Sequence, residues 1–157
     1  MNLRELMPVP EYFCKGVSSE TDKFQFPIKE RDRVTEIREV SQDDVDAFSK
    51  LTGDHNPIHT TNGGKTKAIV HGALLNGLVS GVIGTRLPGP GTMVVLQELN
   101  FPNPCFAGEQ VTVTVEIESL RKIITCRFWC TVNRDKDLTV LHGYAKLVQM
   151  KKNSGKM

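Results

Sequence analysis

Long apolar runs are missing from this chain. Its longest apolar region, 68–87, is broken by Asn76, Ser80 and several glycines, whereas a helix that crosses a bilayer needs about 20 nearly uninterrupted apolar residues. No membrane span is expected. A charge imbalance is missing too. The 20 Lys and Arg against 18 Asp and Glu leave a net +2, too little to argue for a nucleic-acid partner. Cysteine is scarce, and Cys14, Cys105, Cys126 and Cys130 have no metal-binding or redox spacing. Cys126 and Cys130 lie four apart in a predicted strand, so they share a face and read as buried thiols in a reducing compartment. There is no internal repeat and no low-complexity tract. The first 25 residues hold no apolar stretch of a secretory signal, and Glu5, Glu11, Glu20 and Asp22 make a poor transit peptide.

What is present is the composition of one ordinary globular domain. The 157 residues, 39% apolar and 24% charged, suffice to bury a real core. Residues 1–32, with Pro8, Pro10 and Pro27, read as an irregular leader or loosely docked arm. Residues 33–150 read as a single domain, and 151–157 as a polar, basic tail.

Regular structure is predicted from Val34. Val34–Val40 is a first strand. Ser41 then serves as a helix N-cap with Asp44 at the capping-box spacing. Val45, Phe48 and Leu51 recur at helical intervals, and Gly53 stands where a C-terminal glycine is expected. The longest periodic segment, Ile69–Arg86, carries an apolar stripe of Leu74, Leu75, Leu78, Val79, Val82 and Ile83. Ala73, Gly77, Gly81 and Gly84 line another side. Since a glycine inside a helix costs on the order of 1 kcal/mol against alanine, they predict close approach of another backbone. Strands follow at Thr92–Phe101, around Val111–Glu118, at Arg121–Val132 and at Leu138–Met150. The alternation of Val111, Val113, Val115 and Ile117 with Thr112, Thr114, Glu116 and Glu118 predicts one buried and one wet face. One long helix before several antiparallel strands is an α+β layout, an antiparallel sheet wrapped around one long central helix. Such a sheet keeps an edge strand, which makes a homodimer plausible.

The chemistry is concentrated in Gly53-Asp54-His55-Asn56-Pro57-Ile58-His59 and in Val70-His71-Gly72. Asn56-Pro57 blocks helix continuation and fixes a short turn between an acid and an imidazole five residues apart. Groups with ordinary pKa values near about 4 and about 6.5 can divide two proton transfers when their surroundings separate their roles. Gly72 opens the long helix, so its N–H is unpaired and at the positive end of the helix dipole. That is an oxyanion-hole position. Each reading has a structural rival. Asp54 can simply stabilise its turn, His71 can tie the helix start to a neighbour, and Ser80 can be a small contact residue. His55 is expected to be exposed, and His142 to be structural. A metal site from Asp54, His55, His59 and His71 matches no common ligand spacing, so no metal and no cofactor are expected. Arg86, Arg121 and Lys122 are available to a phosphate, with nothing in their spacing to single them out.

These motifs, with Leu87-Pro88-Gly89-Pro90-Gly91 after the helix, resemble the MaoC-like, (R)-specific enoyl-CoA hydratase family of hot-dog proteins. Ala73–Ser80, together with Phe101-Pro102-x-Pro104 and Gly108-Glu109, is most similar to its animal mitochondrial hydroxyacyl-thioester dehydratase type 2 branch. The match runs from about Val34 to Met150. The resemblance implies interconversion of (R)-3-hydroxyacyl and trans-2-enoyl thioesters, carried on acyl-carrier protein or CoA, as the dehydratase step of mitochondrial fatty-acid synthesis. It implies Asp54 and His59 as the catalytic pair, the Gly72 N–H as oxyanion donor, and Ser80, Asn56 and His71 as supporting groups. It also implies a mitochondrial location, with cytoplasm the alternative. The 60–67 connection is shorter than in the resembled family, which bears on the wall of the entrance. Two other readings stay open: a hot-dog acyl-thioesterase, and a non-catalytic acyl-thioester-binding module.

Overall fold

The computed structural model describes residues 27–150. The expected tail at 151–157, and all but the last six residues of the expected arm, lie outside them. Residues 28–32 already lie against the sheet. Ile28 packs on the core, the Arg31 N–H bonds the Ile117 carbonyl at 2.9 Å, and the Ile117 N–H bonds Asp32 O at 2.9 Å.

The elements in order are β1 (Arg33–Glu39), α1 (Gln42–Thr52), a 3-10 turn (Pro57–His59), α2 (Gly72–Thr85), β2 (Thr92–Asn100), β3 (Gln110–Ser119), β4 (Ile124–Arg134) and β5 (Lys136–Gln149). The strands form one antiparallel sheet in the order β1-β3-β4-β5-β2. The register places Val113 opposite Cys130 and Val115 opposite Phe128, and Phe128 opposite Gly143. One apolar face therefore runs unbroken across the middle strands. Helix α2 lies against β3, β5 and β2 and buries Leu75, Val79, Val82 and Ile83. Each such side chain contributes about 1.5–3 kcal/mol by leaving water. Gly143 is obligatory in this packing. A Cβ there would stand 1.9 Å from the Glu98 carbonyl oxygen and 3.1 Å from Phe128 Cζ, so any side chain would force β2 off β5.

Sequence expectations hold for α1. Ser41 and Asp44 form the full capping box, and Gly53 closes the helix at φ 78°. Helix α2 starts at Gly72, the glycine expected to open it, although the apolar periodicity begins at Ile69; the preceding residues are drawn straight by hydrogen bonds from Val70 N–H to Cys105 O (2.8 Å) and from Ala107 N–H to Ala68 O (2.9 Å). Three readings need correction. First, the helix glycines answer no backbone. A Cβ at Gly77, Gly81 or Gly84 would meet nothing within 4 Å, and Gly77 and Gly81 instead line an open groove of about 570 Å³ between α1, α2 and β1. Second, the outer face of β3 is not wet. Thr114 and Glu116 are buried, Thr114 by a hydroxyl contact with Thr35 and Glu116 by Arg33 and Arg127. Third, Leu51 is 83% exposed, since α1 offers the core only Val45 as a fully buried residue. Cys105, Cys126 and Cys130 are buried free thiols as expected, and burial pushes each up to about 12.

Candidate active site

Helix α1 delivers the turn. Its last hydroxyl, on Thr52, donates to Phe48 O and accepts the Asp54 N–H at 3.2 Å. Asp54 Oδ1 accepts the Asn56 N–H at 3.2 Å, and Asn56 Oδ1 accepts the Ile58 N–H at 3.3 Å. The turn is thus a chain of side-chain-to-backbone bonds, with Pro57 at the first position of its 3-10 segment. Asn56 is part of the scaffold of this turn. Asp54 keeps Oδ2 free of the turn and is half exposed.

His59 is buried, with Nδ1 2.6 Å from the Ile69 carbonyl oxygen. That oxygen only accepts, so Nδ1 carries the proton and Nε2 presents its lone pair. Nε2 stands 3.7 Å from Asp54 Oδ2. The two are too far apart for a good direct hydrogen bond and well placed to hold one water between them. The Ile69 N–H bonds Ile58 O at 2.8 Å, so the short 60–67 connection is clamped at its base.

His71 lies beneath His59. The rings stack with centroids 3.5 Å apart and planes 21° from parallel. His71 Nε2 is 3.1 Å from Ser49 Oγ, 3.3 Å from the Asp54 carbonyl oxygen and 3.9 Å from Asp54 Oδ2. Gly72 follows as the first residue of α2. Its N–H has no partner among the described residues, as the first turn of a helix requires. A Cβ on Gly72 would stand 2.8 Å from the Phe101 ring, so the aromatic side chain walls this end of the helix.

The structure therefore brings together Asp54, His59, His71 and Gly72, with Asn56 behind them. It does not bring Ser80. That residue is exposed, eight positions beyond Gly72 and so about 12 Å along the helix, and it makes no hydrogen bond to Asp54 or His59. His55 is exposed, as expected. His142 was expected to be structural and is exposed on β5. Arg86 is tied to Glu36 at 2.6 Å, which removes it from the free phosphate contacts considered. Sequence reading missed Ser49, Phe101 and the Ile69 carbonyl. Ser49 stands where helical spacing signals nothing, and a backbone acceptor has no sequence signal at all.

The donor atoms of Asp54, His59 and His71 lie within 4.8 Å of one another. A metal binds in the plane of each imidazole at about 2.0–2.1 Å. Two nearly parallel rings 3.5 Å apart offer no common point in both planes at that distance, so this arrangement does not suit one ion held by both histidines.

A five-stranded antiparallel sheet wrapped on one long helix is the architecture of a hot-dog protein, and here an acid and an imidazole lie at that helix's N-terminal end. The profile of the MaoC like domain family matches residues 23–134, and the chain belongs to that family. It is 40% identical to a 3-hydroxybutyryl-CoA dehydratase of Methylorubrum extorquens over 127 residues, covering 76% of this chain and 80% of the relative. The (R)-hydratase of A. caviae involved in PHA biosynthesis superposes with a TM-score of 0.70 at 30% identity, over 79% of this chain and 98% of that one. A mitochondrial 3-hydroxyacyl-acyl-carrier-protein dehydratase of Solanum lycopersicum is 34% identical over 93 residues, 56% of this chain and 55% of the relative. Among the described residues, no helix is long and apolar enough to cross a membrane.

Proposed function

We propose that the chain is a hydro-lyase interconverting (R)-3-hydroxyacyl and trans-2-enoyl thioesters. The observation that carries this is His59, with Nδ1 fixed on Ile69 O and Nε2 aimed at Asp54 Oδ2. In hydration, one water sits between Nε2 and Oδ2. His59 takes one of its protons as hydroxide adds to C3. The electron pair of the double bond moves to the thioester oxygen, which lies against the Gly72 N–H at the positive end of α2. C2 then takes a proton back from the pair. Dehydration runs the same steps in reverse. Asn56 and His71 support this geometry.

The carrier is acyl-carrier protein or CoA. Relatives named for both carriers support that range. The named location of the tomato relative supports a place in mitochondrial fatty-acid synthesis, with the cytoplasm as the alternative. The working unit is a homodimer. Met93, Val94, Val95 and Leu96 on edge strand β2 are all half-buried in one chain, and an apolar edge of this kind is ready to pair with a second copy.

The test is the absorbance of the enoyl-thioester band with crotonyl-CoA. Wild type should consume the band, and Asp54→Asn and His59→Ala should each slow it by about 100- to 10,000-fold. Release of free thiol in place of hydration would favour a thioesterase. Tight binding without turnover would favour the acyl-thioester-binding module.

A further inference from the structure

Both candidate reacting side chains touch one residue, His71, to which the hydration scheme gives only an unspecified supporting part. His71 is buried and lies under the His59 ring. Its Nε2 faces the carbonyl oxygen of Asp54 at 3.3 Å. A carbonyl only accepts, so Nε2 carries the proton in this arrangement. His71 Nδ1 is buried and has no hydrogen-bond partner. The other tautomer would leave a buried N–H unsatisfied there and lose the bond to Asp54, so the geometry selects Nε2–H. The two stacked rings thus hold opposite tautomers: His59 with its proton turned away from Asp54, and His71 with its proton turned toward it.

The residue is held in its turn from a second element. Ser49 Oγ stands 3.1 Å from Nε2, and the Phe48 ring packs on the imidazole at 4.9 Å, tilted by 54°. Both come from the last turns of α1. The main chain of His71 is also the N-cap of α2, directly before Gly72. One residue therefore fixes three things relative to one another: the carboxylate turn, by a hydrogen bond; the plane of the His59 ring, by stacking; and the free Gly72 N–H, by covalent succession.

We infer that His71, oriented by Ser49, is a positioning residue that registers Asp54 and His59 against the Gly72 N–H. This rests on the hydration reading above. It predicts a loss confined to the step that needs all three groups aligned, because a misplacement of about 1 Å in such a site can cost on the order of 100-fold.

The experiment uses the full chain with crotonyl-CoA and compares wild type with His71→Phe, His71→Gln and Ser49→Ala. Each is also built on Asp54→Asn, and Tm is measured for all. His71→Phe keeps a ring to stack and loses the bond to Asp54. His71→Gln keeps a donor and loses the stack. The expected result is a fall in kcat of roughly 10- to 100-fold for both His71 variants with KM nearly unchanged, and a smaller fall for Ser49→Ala. On the Asp54→Asn background the same substitutions should cost almost nothing further, because residues acting as a unit are not additive. A residue that only holds the fold would lower Tm, and its effect would multiply with Asp54→Asn. If a His71 variant fails to fold, Ser49→Ala, which removes only a hydroxyl, carries the same non-additivity test. Wild-type turnover with unchanged kcat in all three single variants, or full additivity, overturns the inference alone. No wild-type turnover on crotonyl or longer enoyl thioesters overturns the hydration reading and this inference with it.

Discussion

Two carboxylates in this molecule stand in opposite surroundings. Glu116 sits on the outer face of β3 with its side chain 5% exposed. Arg127 donates to one oxygen at 2.6 and 2.9 Å, and Arg33 donates to the other. The Arg33 hydrogen bond is the largest cause holding its carboxyl below the ordinary range, and burial works against it. Asp54 is half exposed and meets no arginine or lysine among the described residues. Its neighbours are two imidazoles at 3.7 and 3.9 Å. Glu116 has committed its lone pairs and is structure. Asp54 has tied one oxygen to the turn that holds it and left the other open, which is what a proton-transfer group needs.

The widest separation should appear in paired variants. Asp54→Asn should slow turnover by about 100- to 10,000-fold with little change in Tm, because the amide can still accept the Asn56 N–H. Glu116→Gln should leave turnover unchanged and cost on the order of 1–3 kcal/mol of stability, since both guanidinium groups lose a charged acceptor. At about 2–4 °C per kcal/mol for a chain of this length, thermal melting resolves that loss. Turnover that survives Asp54→Asn, or fails in Glu116→Gln, breaks the comparison.

Acid sharpens it further. The folded-state pKa of Glu116 is depressed, so its contribution is fully present above the unfolded value of about 4.3. It is lost as pH falls through the lower folded value. Denaturant midpoints followed from pH 7 downward should therefore drop below about pH 4.3 in wild type, with a shallower acid limb in Glu116→Gln. Equal slopes would mean that the two arginines stabilise a neutral partner just as well.

Legibility in the sequence followed the range of the interaction. The capping box, the Gly53 stop and the Asn56-Pro57 turn are contacts within four residues, and sequence spacing reports those directly. The alternation of β3 identified its inner face. Its outer face was misread because what covers Glu116 comes from Arg33, 83 positions away, and from Arg127 on the next strand. The start of α2 at Gly72 was legible from the glycine itself, while the apolar pattern that continues back through Ile69 is cut off by the long-range bond from Val70 to Cys105. In the site, Asp54, His59 and Gly72 were legible as motif positions. The stack of His59 on His71 and the hydroxyl of Ser49 were not, because they depend on how the end of α1 meets the start of α2.

The smallest effect is expected at Gly72, where the question is what the glycine is for. Alanine there keeps the backbone N–H, so the donor proposed for the thioester oxygen survives. Its methyl group would stand 2.8 Å from Phe101 Cε1. Phe101 is 48% exposed, so its ring can swing aside at modest cost. Gly72→Ala should therefore lower turnover by less than about tenfold, well short of the roughly 100- to 1000-fold typical when an oxyanion donor is removed. Adding Phe101→Leu should recover most of that loss by making room for the methyl group. A loss above 100-fold that Phe101→Leu does not relieve would show that the substrate itself occupies the space over Cα. The glycine would then serve close approach of the thioester more than clearance of the ring.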